Sequence, residues 1–209
     1  MHLEDDAQLE GLIDRLKQYL AANPRNATAH YNLALAFLKK GRIEDAEFAF
    51  KFALDLEPEM VEALINLGGL YLRQEKLDEA VACNQKALEI NPRATLALNN
   101  IGFARMIQGR MDEAAAAFRS AIELNPELIP ARLSLVRVFE AQDNLDAAMT
   151  QYEEILRLNP GFALAHYSLA MGRLAQGRIE EAARHYQEAA ALNFPVDPHL
   201  GRRIEEARG

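Results

Sequence analysis

The slots His30, Leu33, Ala34 and Phe37 recur at i, i+3, i+4, i+7, which predicts an α-helix over 27–40 with one buried face. A second helix is predicted over about 44–56, with Ala46, Phe50, Ala53 and Leu54 on its buried side. The pattern then repeats. Prolines stand at 24, 58, 92, 126 and 160, each 34 residues after the last and each preceded by Asn23, Glu57, Asn91, Asn125 or Asn159. The turn inside each pair falls 18 residues after its proline, at Arg42, Lys76, Arg110, Asn144 and Arg178. Gly41, Gly109 and Gly177 precede three of these turns, as helix-ending glycines should. A period held five times marks a stacked array of helix pairs.

Ahead of the array, Leu9, Leu12, Ile13, Leu16, Tyr19 and Leu20 predict an amphipathic helix ending before Pro24, in register with the second helix of a half-repeat (1–26). Five full units follow at 27–60, 61–94, 95–128, 129–162 and 163–196. The remaining stretch, 197–209, has only Leu200 and Ile204 as spaced apolar residues among Arg202, Arg203, Glu205 and Glu206. A polar-faced capping helix of that kind keeps the open end of an array soluble.

Residues 61–94 carry Leu64, Leu67-Gly68, Tyr71, Ala80, Ala87 and Pro92, and residues 95–128 carry Leu98, Ile101-Gly102, Ala114, Phe118, Ala121 and Pro126. With these residue types at these spacings the chain resembles the tetratricopeptide repeat family over 27–196. The resemblance implies an all-α fold, a right-handed α-solenoid of antiparallel helix pairs whose first helices line a concave groove. It implies a protein–protein interaction role rather than one chemistry, because repeat folds serve many partners.

Some positions depart from the signature. Arg132 stands where the first slot expects a large apolar residue, and Val136 where it expects a small one. Arg105 and Arg173 occupy the slot of Phe37, Tyr71 and Phe139, and Asn84 that of Phe50 and Phe118. Packed arginine stems with guanidiniums reaching a nearby carboxylate account for the arginines. The alternative is a local distortion of 129–162 that shapes a binding site.

Composition narrows the function. With 23 Lys+Arg against 31 Asp+Glu the net charge is −8, which disfavours general nucleic-acid binding and a polybasic membrane anchor. One cysteine, Cys83, excludes an intramolecular disulfide and a zinc site of several thiolates, and its mid-helix place suits a small packing residue. The opening Met1-His2-Leu3-Glu4-Asp5-Asp6 lacks the features of a signal peptide, and no apolar run approaches the ~18–20 residues of a membrane span. Cytoplasmic location and no membrane insertion are therefore expected. The sequon Asn26-Ala27-Thr28 means nothing without secretion.

Catalysis finds no footing. The pairs Glu44/Asp45, Asp78/Glu79, Asp112/Glu113 and Glu180/Glu181, with Asp146 alone, begin every second helix. Capping and the helix dipole explain a once-per-repeat carboxylate; acid–base chemistry does not. His30 and His166 share the first slot and are expected to pack. His166 and His185 can meet across one helix pair, but two histidines without a third ligand make a poor metal site. Phosphate loops and the common hydrolase and zinc motifs are absent, and Gly68-Gly69 falls inside a helix. No enzyme activity, cofactor or metal is expected.

The face opposite the core carries the functional expectation. In 27–40 it holds Thr28, Tyr31, Asn32, Leu35 and Lys39; later repeats add Ile65 and Gly69, then Leu96, Phe103 and Ile107, then Leu133 and Ala141, then Leu164, Tyr167 and Met171. Under the family resemblance this apolar face lines the groove, and a wide apolar trough marks an interaction site. The expected peptide-binding set is Tyr31, Asn32, Leu35, Lys39, Ile65, Asn66, Arg73, Asn99, Asn100, Phe103, Ile107, Arg137, Tyr167 and Met171. Asn32, Asn66 and Asn100, spaced by 34, resemble the peptide-holding asparagine ladder of some family members, although plain helix-surface asparagine is an equal reading.

The family's carboxylate clamp is missing, because Tyr31, Leu35, Gly69 and Leu96 fill its places. Lys39, Arg73 and Arg137 stand against Glu62 and Glu140, so the trough is close to neutral and the acidic excess belongs to second helices and outer surfaces. The sequence thus predicts a non-enzymatic scaffold that holds an apolar or amphipathic segment of a protein partner. A self-assembling homo-oligomer is the alternative. An enzyme using His166, His185 and Arg173 is the least favoured.

Overall fold

The computed structural model describes the backbone from residue 2 and side chains from residue 6. Expectations on the side chains of residues 1–5, His2 included, lie outside the described residues. The described chain forms twelve helices and no strand. They are α1 (His2–Ala22), α2 (Ala27–Lys39), α3 (Ile43–Leu56), α4 (Val61–Arg73), α5 (Leu77–Ile90) and α6 (Thr95–Ile107). After these come α7 (Met111–Leu124), α8 (Ile129–Ala141), α9 (Leu145–Leu158), α10 (Ala163–Ala175), α11 (Ile179–Ala191) and α12 (Pro198–Arg208). The fold is an all-α solenoid of consecutive helix pairs. It divides into two compact units, Met1–Arg110 and Met111–Gly209, at the turn between α6 and α7.

In the first unit α2 packs on α3 and α4 on α5, with α1 against α2 and α6 against both α4 and α5. Alanines make the close approaches: Ala34, Ala46, Ala53, Ala63 and Ala80 are fully buried, and Phe37, Phe50, Leu67, Leu70 and Tyr71 fill the space between them. α1 joins this core through Ile13 and Leu20. It is pinned at its start by Lys40, whose Nζ lies 2.8 Å from Asp6 and 3.3 Å from Glu10.

In the second unit α8 packs on α9 and α10 on α11, with α7 against α8, α9 against α10 and α12 against α11. α12 lays Leu200 and Ile204 onto Ala170, Ala182 and Ala183 and turns charged residues to solvent. Its N-cap is Asp197, which accepts from the backbone N–H of His199 at 2.9 Å.

The acidic pairs do not cap. Arg42, Lys76 and Arg178 hold the N-cap positions of α3, α5 and α11 without a side-chain cap bond, and the acids sit in the first turn, where they meet the positive end of the helix dipole. Three of these acids bind the next repeat instead. Gln108, Gln142 and Gln176 donate to Asp78, Asp112 and Asp146 at 3.0, 2.8 and 2.8 Å, one bond per 34 residues. The sequon residue Asn26 has a structural role, because its Oδ1 caps α2 through the Ala29 N–H at 2.8 Å.

Polar residues in core slots find local partners, except that the buried Arg173 Nε has no hydrogen-bond partner among the described residues and meets Glu181 only as an ion pair at 3.5 Å. His30 Nε2, Arg132 Nη2 and His166 Nε2 each donate to the carbonyl of the proline six residues earlier, at 2.9, 3.0 and 3.0 Å. Arg173, 8% exposed, reaches Glu153, Glu181 and Gln176. The packed-arginine account therefore holds for Arg132 and Arg173.

Every turn inside a pair uses the left-handed region. Gly41, Gly109 and Gly177 have φ of 74°, 75° and 72°, while Glu75 and Asp143 adopt 58° and 56° at the equivalent positions. An L residue there costs ~1–2 kcal/mol, less for Asp, and glycine's extra freedom in the unfolded chain returns ~0.5–1 kcal/mol of that. Glu75→Gly should therefore stabilise the protein by about 0.5–1 kcal/mol, read as a higher urea midpoint at unchanged slope. An unchanged or lower midpoint would contradict the strain at Glu75.

Candidate binding faces on the first helices

In the first unit the outward faces of α2, α4 and α6 carry the expected residues from Tyr31 to Ile107. Tyr31, Leu35, Ile65, Asn66, Asn99, Asn100 and Phe103 are half-buried, and Asn32, Lys39, Arg73 and Ile107 are exposed. Leu96 and Ile107, at 57% and 54% exposure, are large apolar side chains left to solvent. Tyr31 is fixed from two sides. Its ring lies 5.9 Å from that of Phe50, and its hydroxyl accepts from Asn66 Nδ2 at 3.2 Å. Burial and the nearby Glu62 carboxylate raise the phenol's pKa, and the Asn66 bond opposes them. The phenol is a neutral group at physiological pH.

The asparagines differ from one another. Asn32 is exposed. Asn66 also donates to the Glu62 carbonyl at 2.8 Å, and Asn100 donates to Asn84 Oδ1 at 3.1 Å and to the Ile65 carbonyl at 3.3 Å. The donors of Asn66 and Asn100 are thus engaged inside the array, which leaves Asn32 as the ladder's open member. Asn99 Oδ1 is buried with no hydrogen-bond partner among the described residues.

In the second unit Arg137 is exposed on α8, and α10 presents Leu164 at 40%, Met171 at 44% and the half-buried Tyr167. The Tyr167 ring lies 5.1 Å from Phe194. Ser134, at the slot of the asparagines, is buried and donates to the Pro130 carbonyl at 2.9 Å, so it is no part of a trough. A cavity of about 250 Å³ lies beside Tyr167 and Met171, walled by Leu200 and Arg203 of the capping helix.

A larger cavity of about 530 Å³ opens on the other side of Met171, where α8 ends, α9 begins and α10 crosses them. Its lining includes Asp143, Asn144, Leu145, Met149, Tyr152 and Gly172, of which the periodicity marks only Asn144, as a turn position. One signal was present in the sequence. Gly172 stands in the slot of Ala36, Leu70, Ala104 and Val138, all buried, and the missing side chain lets Met149 pack against the α10 backbone at the cavity's edge.

Two other groups carry the residue types of reactive sites. His166 Nδ1 lies 3.0 Å from His185 Nδ1, and burial lowers the pKa of His185 with help from the neighbouring His166, Arg173 and Arg184. Burial raises the Cys83 thiol, the opposite of what a reactive thiolate needs. Among the described residues no group of three or more His, Cys, Asp or Glu is arranged to hold a metal, and no helix is long and apolar enough to cross a membrane.

Tetratricopeptide repeat models match residues 13–95, 105–172 and 163–188. No curated protein matches the chain. Among solved structures, MamA is 25% identical with a TM-score of 0.69, covering 77% of this chain and 94% of its own. YrrB, a TPR protein with an unusual peptide-binding site, is 21% identical with a TM-score of 0.68, covering 91% and 97%. PilF of Pseudomonas aeruginosa is 24% identical with a TM-score of 0.72, covering 86% and 83%. The 34-residue period, the paired helices with alanine contacts and these matches converge on one conclusion: the chain belongs to the tetratricopeptide repeat family.

Proposed function

We propose that the protein is a non-enzymatic cytoplasmic scaffold that holds an apolar or amphipathic segment of a protein partner on the faces of its first helices. The observation that carries this reading is the exposure of Leu96, Ile107, Leu164 and Met171 beside the half-buried Tyr31, Phe103 and Tyr167. A helix face meeting only water would be polar there. Burying one such side chain under a partner contributes ~1.5–3 kcal/mol, against ~0.5–1.5 kcal/mol for a neutral hydrogen bond. The apolar residues therefore set affinity, and Asn32 with the exposed Lys39, Arg73 and Arg137 sets direction and register. Family membership supports a protein or peptide as partner.

The test is capture of the native partner by a Phe103→Ser/Tyr167→Ser double variant. Loss of tenfold or more in affinity is expected, since each change removes ~1.5–3 kcal/mol of apolar contact. Undiminished capture by a folded double variant would remove the groove reading.

A second reading, self-assembly, draws on the outer face of α1, where Leu12 and Tyr19 are 40% and 48% exposed. Light scattering on the eluting protein distinguishes the two, because a monomer at high concentration excludes assembly through that face.

A further inference from the structure

The larger cavity of the second unit has a chemistry of its own. Its floor is apolar: Met149 closes the space that a side chain at Gly172 would fill, and Leu145 (55% exposed) and Met171 form the flanks. Its rim is anionic, with Glu140, Asp143 and Asp146 on the lining and no Lys, Arg or His there. The exposed Arg137, one turn before Glu140 on α8, does not line it, although its charge reaches Tyr152 and offsets part of the rim's negative charge. Two of the three carboxylates are held in place. Tyr152, buried at 6% exposure, reaches Glu140 Oε1 with its hydroxyl at 3.4 Å, and Gln176 holds Asp146 Oδ1 at 2.8 Å.

An apolar shaft under an acidic rim complements one kind of side chain, an alkyl stem ending in a cation. An acidic segment would meet three like charges, and a purely apolar one would strip water from carboxylates and give nothing in return. We propose that this cavity is a specificity pocket for a lysine side chain of the bound partner segment. The stem lies on Met149, Leu145 and Met171, and the ammonium donates to Glu140 and Asp143. The proposal rests on the scaffold reading and adds to it the chemistry of one partner residue. It also fixes a point of register, because a lysine seated at 140–172 places the flanking partner residues along Leu164 and Tyr167 of α10.

The experiment uses the full chain with ¹³C-methyl methionine and three probes of equal length: n-butylammonium, n-butanol and butyrate. Saturable shifts at the Met149 and Met171 methyls are expected with butylammonium, about tenfold tighter than with butanol, because a charge-assisted bond outweighs a neutral one. Butyrate should give none. The preference should vanish in Glu140→Gln/Asp143→Asn, while the other methionine signals report an intact fold. It should also fade toward about 0.5 M salt, a check that needs no variant. Equal affinity for butylammonium and butanol, or a preference indifferent to both the double variant and salt, would overturn the pocket. The two readings can fail separately. Capture that still depends on Phe103 and Tyr167 while butylammonium shows no preference leaves the groove standing and removes the lysine pocket. Ammonium binding without that dependence does the reverse.

Discussion

Gly68→Ala should destabilise the first unit by about 3 kcal/mol, combining overpacking with a disturbed buried amide. A Cβ at Gly68 would overlap the side-chain amide of Asn84 and lie 3.2 Å from the Ala80 carbonyl oxygen. Asn84 is fully buried and cannot step aside cheaply. Its Nδ2 donates to that same Ala80 carbonyl at 2.7 Å, and its Oδ1 accepts from Asn100, which is also bonded to the Ile65 carbonyl. Displacing it breaks a chain of bonds linking α4, α5 and α6. The pair should therefore be coupled. Asn84→Ala alone leaves a small void and an unpaired Asn100 donor, yet in the Gly68→Ala background it removes the clash. A double-mutant cycle in urea should give at least ~1 kcal/mol of favourable coupling, and strict additivity would refute the contact.

Acidification from about pH 7.5 to about 5.5 should weaken the second unit by at most about 1 kcal/mol, a fall of about 2–4 °C in Tm, through His185. Pro160 O can only accept, so His166 carries its proton on Nε2 and its Nδ1 is the acceptor. His185 then donates Nδ1–H to it. The partly buried His185 ring is surrounded by His166 and Arg173 of α10 and by Arg184 and Glu181 of its own helix. Burial first, then His166 and the two arginines, lower its pKa below 6.5, and Glu181 opposes them.

A lowered folded pKa means that the unfolded chain takes up the proton first. The stabilisation is thus complete above the unfolded value and is lost as pH falls through 6.5 toward the folded value. Partial exposure keeps the effect modest. His185→Gln, which can still donate to His166 but does not titrate, should flatten the difference between the two pH values. An equal slope in variant and wild type would dismiss the pair as its source.

Much of the fold could be read along the chain because a repeat array is built from near-neighbour contacts. The helix starts and ends of α2 and α3 fall within a residue or so of the expected 27–40 and 44–56, since one apolar stripe per helix leaves a single way to bury it. The capping helix was legible for the same reason: Leu200 and Ile204 were the only apolar pair available, and both are buried. The acids do not cap, contrary to expectation, but their place and their meeting with the helix dipole agree with it. Charge at a helix start suits the dipole wherever it points, but which partner receives it is set by the next repeat, and only folding brings Gln108 to Asp78.

The binding face divides along the same line. That Tyr31, Phe103, Tyr167 and Met171 would stay accessible followed from angular position alone, 100° per residue around a helix axis. That Asn66 and Asn100 would spend their donors on Tyr31 and Asn84 did not, because those partners lie 35 and 16 residues away. By itself, the sequence determined the period, the helix pairs, the core slots and the apolar character of the first-helix face, all properties of local spacing. Tertiary structure alone decided which polar atoms are used up internally, and that Glu140, Asp143 and Asp146 gather around one cavity where three helices meet. Those depend on distances across helices, which no periodicity in one chain encodes.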